Sequence, residues 1–199
     1  AQRSALREVA RTHDELAAIG ISQQHLVING VLPASEAPLD QLWTALTGDS
    51  RVFIDVEVEA RREVLDGGLR PDLDRLVRLV MAELGDGEPV DVGVMRDALI
   101  ELTIGLHRYR TYLPDDAASA VQLDDAHARA VAARPDLTQV IDRVVRLIRS
   151  HPAVATRWEQ LTSPTMAKGA EDRAFYRYLR LPSLCEVGGA PGQFATTVD

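Results

Sequence analysis

A mainly α-helical fold is predicted, a helical bundle-like region with a few short strands. Three observations carry that reading. Apolar residues recur at helical spacing in nearly every segment beyond residue 38. Proline and glycine stand between these segments more often than inside them. The short β-branched apolar run "HLVINGVL" (25–32) reads instead as a strand. In chain order, residues 2–19 form an amphipathic helix on Leu6, Val9, Ala10, Leu16 and Ile19, with Gly20 as its stop. The strand follows, broken at Asn29-Gly30, and "LPASEAP" is a loop and the clearest boundary in the chain.

Helices are then expected at 38–47, ending at Gly48, and at 50–66, ending at Gly67-Gly68. Another spans 71–84, with Pro71 in the first turn and a stripe of Leu73, Leu76, Val77, Val80 and Leu84. "GDGEPVDVG" is a turn, and 92–106 is helical again. Pro114-Asp115-Asp116 opens the next helix, its acids suited to the positive helix start, and Asp124-Asp125 is given the same helix-start role. Arg134-Pro135-Asp136 divides it from a helix carrying Leu137, Val140, Ile141, Val144, Val145 and Ile148. His151-Pro152 divides once more. From residue 161 periodicity fades while Gly and Pro increase, and a short strand is expected near 183–188.

Composition narrows the function classes. A net charge of −8 over 199 residues argues against a nonspecific nucleic-acid partner, which needs a basic surface. No stretch approaches a membrane span, so no membrane partner is expected. The lone Cys185 rules out an internal disulfide, gives no zinc spacing, and suits a reducing cytoplasm. It has no neighbouring His or basic helix start to activate it. His13, His25, His107, His127 and His151 show no ligand spacing and read as surface or capping residues, so neither metal nor other cofactor is expected. The first residue is Ala1 rather than Met, as in a piece of a longer chain.

One stretch is unusual. "TMAKGAEDRAFYRYLRLPSLCEVGG" (165–189) gathers charges and tyrosines in a chain with few aromatics. Sugars are bound by planar charged groups that bond vicinal hydroxyls and by rings that stack on their apolar faces, and both kinds of group occur here. A structural ion-pair network, in which Glu171 and Asp172 pair with Lys168, Arg173 or Arg177, explains the same residues.

This stretch closely resembles a segment of maltooligosyltrehalose synthase, a relative of the α-amylases. "HRYRTYLPDD" (107–116) and "EARREVLDGGLRPDLDRLVRLV" (59–80) resemble the same family in the same order. The resemblance covers roughly residues 38–199. It implies isomerisation of the reducing-end α-1,4 bond of a maltooligosaccharide to an α,α-1,1 bond. It also implies a substrate-lining strip of Lys168, Glu171, Asp172, Tyr176 and Arg177. Tyr109 and Arg110, with Tyr112, form a second candidate, which a helix-end packing cluster explains equally well. Leu179 and Cys185 stand where the family usually has Asn, and Ala190 where it has Asp. The family's catalytic carboxylates lie outside the matched stretch, so no catalytic residue is assigned and this chain alone is expected to be inactive. The final ~35 residues, which in the family pack on the barrel, are expected to be irregular.

"SALREVARTHDELAAIGISQQHLVINGVLPASEA" resembles the arsenical-pump-driving ATPase family instead, where the residue matching Asn29 lies near the nucleotide base. No GxxxxGK[ST] loop occurs in the sequence, so triphosphate binding is not expected. The chain therefore reads as a fusion or fragment with three parts: 1–37 ATPase-like, 38–160 a helical accessory region, and 161–199 a barrel-derived substrate segment. The leading function is a portion of the synthase. The alternatives are a pump-ATPase fragment and a non-catalytic helical interaction module.

Overall fold

The computed structural model describes residues 11, 12, 14–20, 39–85, 89–113, 116–179 and 184–192. Residues 14–18 are helical, and Gly20 ends that helix at φ +91°, its N–H bonded to Ala17 O. The expected strand at 25–32 and the loop after it lie outside the described residues, as do His13, His25, Asn29 and Asp115.

From residue 39 the chain is a stack of helices. They are α1 (Leu39–Thr47), α2 (Phe53–Asp66), α3 (Arg70–Leu84), α4 (Val92–Gly105), α5 (Ala117–Ala133), α6 (Thr138–Ser150) and α7 (Pro152–Thr165). Asp91 and Asp116 each accept two backbone N–H bonds at the starts of α4 and α5, which satisfies part of the unpaired first turn. Gly48, just past α1, takes φ +75°.

Helix α4 lies at the centre. It buries every residue from Ala98 to Gly105, and α2, α3, α5, α6 and α7 all pack on it. The outer helices bury one face each, such as Leu73, Leu76, Val77 and Val80 on α3 and Ile141, Val144, Val145 and Ile148 on α6. Trp158 of α7 is wholly buried against α4 and donates its indole N–H to Thr103 Oγ1 at 3.2 Å.

One charged side chain joins three elements. Arg61 of α2 is 1% exposed and reaches the C-terminal end of α4. Its Nη1 donates to Ile104 O (2.9 Å), and its Nη2 to Thr103 O (2.7 Å) and Leu106 O (2.9 Å). These carbonyls are among those a helix end leaves without intrahelical partners, and a cation suits the negative end of the dipole. Glu57, one turn earlier, balances the charge at 3.2 Å.

Three sequence expectations are corrected. The chain does not become irregular at residue 161. Helix α7 runs on through a π-helical stretch (Met166–Ala174) into the short α8 (Phe175–Arg177). Pro164 offers no N–H to the ladder, and the turns after it widen into π register, one way in which a helix accommodates an interruption. The stretch is held by packing: a second cluster of Val56, Ala60, Ala174 and Tyr178 seals it to α2. Secondly, residues 184–188 form turns in place of a strand, with Gly188 at φ +76° and Gly189 N–H bonded to Glu186 O. Thirdly, Asp124 and Asp125 sit in the middle of α5, where Asp124 pairs with Arg149 of α6. No helix among the described residues is long and apolar enough to cross a membrane.

Glycine permits two close approaches between helices. A Cβ on Gly169 would lie 2.6 Å from Arg61 Cγ and 2.8 Å from Arg61 Cα, and one on Gly105 would lie 2.5 Å from Ala126 O. Gly169→Ala and Gly105→Ala are each expected to cost about 1–3 kcal/mol. That lowers Tm by roughly 2–12 °C in a domain of this size. Gly68→Ala, where a Cβ meets nothing within 4 Å, is expected to leave Tm unchanged or slightly raised. Thermal melts of the three variants check the order.

Candidate functional site

The connection from α4 to α5 is built like a bracket. Leu106, just past α4, is held by Arg61. Five residues on, the Thr111 hydroxyl (2.7 Å) and the Leu113 N–H (2.9 Å) both donate to Glu159 Oε1, a buried carboxylate on α7. The Tyr112 N–H donates to Ser119 Oγ on α5. With both ends pinned, residues 107–110 project as a short exposed arc.

At that arc, Tyr109 donates its hydroxyl to Glu171 Oε1 on the π-helical stretch. Two sequence motifs separated by 62 residues thus meet. Between them opens a cleft of about 260 Å³, walled by Phe53, Glu57, His107, Tyr109, Glu171 and Phe175. Phe53 and Phe175 lie 5.8 Å apart, centroid to centroid, and give it an aromatic side. Glu57 and Glu171 supply acceptors, and Tyr109 and His107 a hydroxyl and an imidazole. That combination of ring faces with hydrogen-bonding groups suits a small polyol better than an ion.

The charges around the cleft shape its protons. The Glu171 carboxylate, first through the hydrogen bond and then with burial, pushes the Tyr109 phenol up to about 12. Burial, with Arg129 beside it, pulls the His107 imidazole below its ordinary value, so the neutral ring is favoured.

The other residues singled out in the sequence are placed elsewhere. Lys168 and Asp172 are exposed on the π-helical stretch, and Tyr176 is 74% exposed on α8. Arg110 stacks its guanidinium 4.3 Å over the Tyr112 ring. Arg177 forms a two-pronged pair with Glu63 of α2 (2.9 and 2.6 Å), and Arg173 joins the same carboxylate at 3.2 Å. These arginines, Arg177 foremost, hold the Glu63 carboxyl below its usual range. Sequence reading missed Glu63, Phe53, Glu57, Met166 and Phe175. Glu63 is 110 and 114 residues from its partners, and no periodicity signals such a pair.

Among the described residues, no three His, Cys, Asp or Glu side chains converge as a metal site. His127 pairs with Asp142 at 2.6 Å, and His151 lies 3.6 Å from Glu83. The Cys185 thiol donates to Tyr178 O, and burial pushes its pKa up, away from reactivity.

No protein-family profile matches the chain. A protein of Mycobacterium tuberculosis named as a maltooligosyl trehalose synthase is 34% identical over 174 residues, covering 84% of this chain. The solved maltooligosyltrehalose synthase of Arthrobacter ramosus superposes with a TM-score of 0.69 at 39% identity, covering 83% of this chain. Most of this chain is similar to one segment of maltooligosyltrehalose synthase. It spans about a fifth of the synthases' length, 21% of either protein. A second likeness is short: an arsenical pump-driving ATPase of Escherichia coli is 67% identical over 45 residues, 23% of this chain and 8% of the ATPase. The chain thus carries two likenesses to unrelated proteins, as a fusion or fragment would. The Tyr109–Glu171 cleft lies among the helices of the bundle.

The phenol gives the site a spectroscopic handle. Its folded-state pKa is raised, so the Tyr109–Glu171 bond contributes stability below pH ~10 and loses it as pH rises toward ~12. In an ultraviolet pH titration of the folded protein, Glu171→Gln is expected to bring one more tyrosine into ionisation near pH 10 than wild type. Identical curves would remove the bond from the site.

Proposed function

We propose that this chain is a helical portion of a maltooligosyltrehalose synthase-type enzyme and that its cleft holds one glucosyl unit of a maltooligosaccharide. The reaction of the whole enzyme is then isomerisation of the reducing-end α-1,4 bond to α,α-1,1, in the cytoplasm. The observation that carries the binding site is the meeting of Tyr109 with Glu171 across a cleft with an aromatic wall. The likeness to the synthases over more than four-fifths of the chain supports the enzyme class.

In this reading Glu171 and Glu57 accept from sugar hydroxyls, Tyr109 fixes Glu171 and offers its ring edge, and Phe53 and Phe175 face the apolar side of the pyranose. Lys168, Asp172 and Tyr176 extend the sugar-facing surface along the same helix. Arg110 presents donors beside the cleft. Arg177, tied to Glu63, positions α8. The chain binds and orients; no acid, nucleophile or supporting carboxylate of the isomerisation is assigned to it.

A pump-ATPase reading rests on the 45-residue likeness alone. It lacks a phosphate cradle, since the sequence contains no GxxxxGK[ST] loop.

Calorimetric titration with maltopentaose tests the proposal. The 199-residue chain is expected to bind it, and Tyr109→Phe and Glu171→Gln to weaken binding by about three- to tenfold, the worth of a hydrogen bond. Arg177→Ala is expected to lower Tm with binding little changed. Absent binding, or variants that bind as wild type does, would contradict the assignment.

A further inference from the structure

A second cavity adjoins the cleft. It holds about 200 Å³ and is lined by Leu106, His107, Arg108, Gln122, Asp125 and Arg129. His107 and Arg108 line both cavities, so they form the wall between them. Five of its six lining residues are charged, amide-bearing or, in His107, imidazole-bearing, whereas the first cleft has an aromatic side.

Its polar groups are only partly used. Arg129 Nη1 donates to Gly105 O at 3.0 Å, and its Nη2 lies 4.0 Å from Asp125 Oδ2, the outer limit of an ion pair. Among the described residues, Arg108 makes no hydrogen bond or ion pair and the Gln122 amide has no partner. The cavity therefore offers guanidinium donors, a carboxylate acceptor and an amide that does both. An anionic ligand would meet Asp125, and a cationic one would meet two arginines. A neutral polyol, whose hydroxyls both donate and accept, matches this mixture without a like-charge contact.

We infer that the Gln122–Asp125–Arg129 cavity is a second saccharide subsite, taking a sugar unit of a chain that crosses the His107–Arg108 wall from the Tyr109–Glu171 cleft. The inference rests on the proposed sugar-binding role of that cleft and deepens it: the sugar chain continues past the cleft into a second cavity, whose residues the first reading does not use. Desolvation, then Arg129 of α5 and Arg61 of α2, pull the His107 imidazole below its ordinary value against the opposing pull of Glu57, which favours the neutral ring. A neutral imidazole on the shared wall can serve a hydroxyl on either side.

The test compares glucose, maltose and maltopentaose on wild type, Gln122→Ala and Tyr109→Phe, by calorimetric titration with Tm measured alongside. Gln122 is half-exposed, so its truncation is expected to leave Tm unchanged. Maltopentaose should bind Gln122→Ala about three- to tenfold more weakly than wild type, while glucose affinity is unchanged. Tyr109→Phe should weaken all three sugars. Equal maltopentaose affinity in wild type and Gln122→Ala, with Tyr109→Phe still weakened, overturns the second subsite and leaves the first. Equal loss for glucose and maltopentaose in Gln122→Ala also overturns it, because one site then serves both. Absence of sugar binding in wild type, or indifference to Tyr109→Phe, overturns the first reading and this one with it.

Discussion

Arg61 is the interaction on which the arrangement depends. A guanidinium only 1% exposed is costly unless its donors are used, and here they close the C-terminal end of the central helix. A guanidinium keeps its charge even where burial pulls its pKa down, as it does here. Its Nε is the one buried side-chain nitrogen or oxygen among the described residues that lacks a partner. The same side chain is the surface on which Gly169 rests. One residue of α2 therefore sets where α4 ends and how near the π-helical stretch approaches.

The candidate site inherits its geometry from that junction. Leu106 is fixed by Arg61 and residues 111–113 by Glu159, so the arc between them has little freedom in where it presents Tyr109. Glu171 lies two residues beyond Gly169 on the stretch that Arg61 supports. The Tyr109–Glu171 bond is in this sense a consequence of backbone placement. Glu63, with Arg173 and Arg177, secures the far end of the same stretch. These pairs are exposed and each is worth little alone, but they share one carboxylate and act on one helix.

The helices were legible because their signals are local. Asp116 in front of α5, Pro71 inside α3 and the apolar face of α6 can each be read within one or two turns of sequence. The continuation of α7 past Pro164 was not legible, since what holds it is packing on α2, about 110 residues away. Gly169 gave the same difficulty: in sequence it looks like a helix breaker, and only Arg61 explains it. Of the candidate site, Tyr109 and Glu171 were both singled out, yet in separate motifs. Phe53, Glu57 and Phe175 looked like ordinary helix residues. The acids at 124–125 were misread because a helix-start pair and a mid-helix pair that reaches α6 look alike until the neighbouring helix is placed.

Native-state amide hydrogen exchange on Arg61→Met tests the central claim most directly. Methionine keeps much of the volume and removes the donors, which leaves the carbonyls of Thr103, Ile104 and Leu106 without them. Each such loss costs about 1–3 kcal/mol. The account predicts that protection falls together in two places, the last turn of α4 and the π-helical stretch 166–174, by tenfold or more (about 1.4 kcal/mol per decade). Unchanged protection in both, or a loss confined to α2, would contradict it.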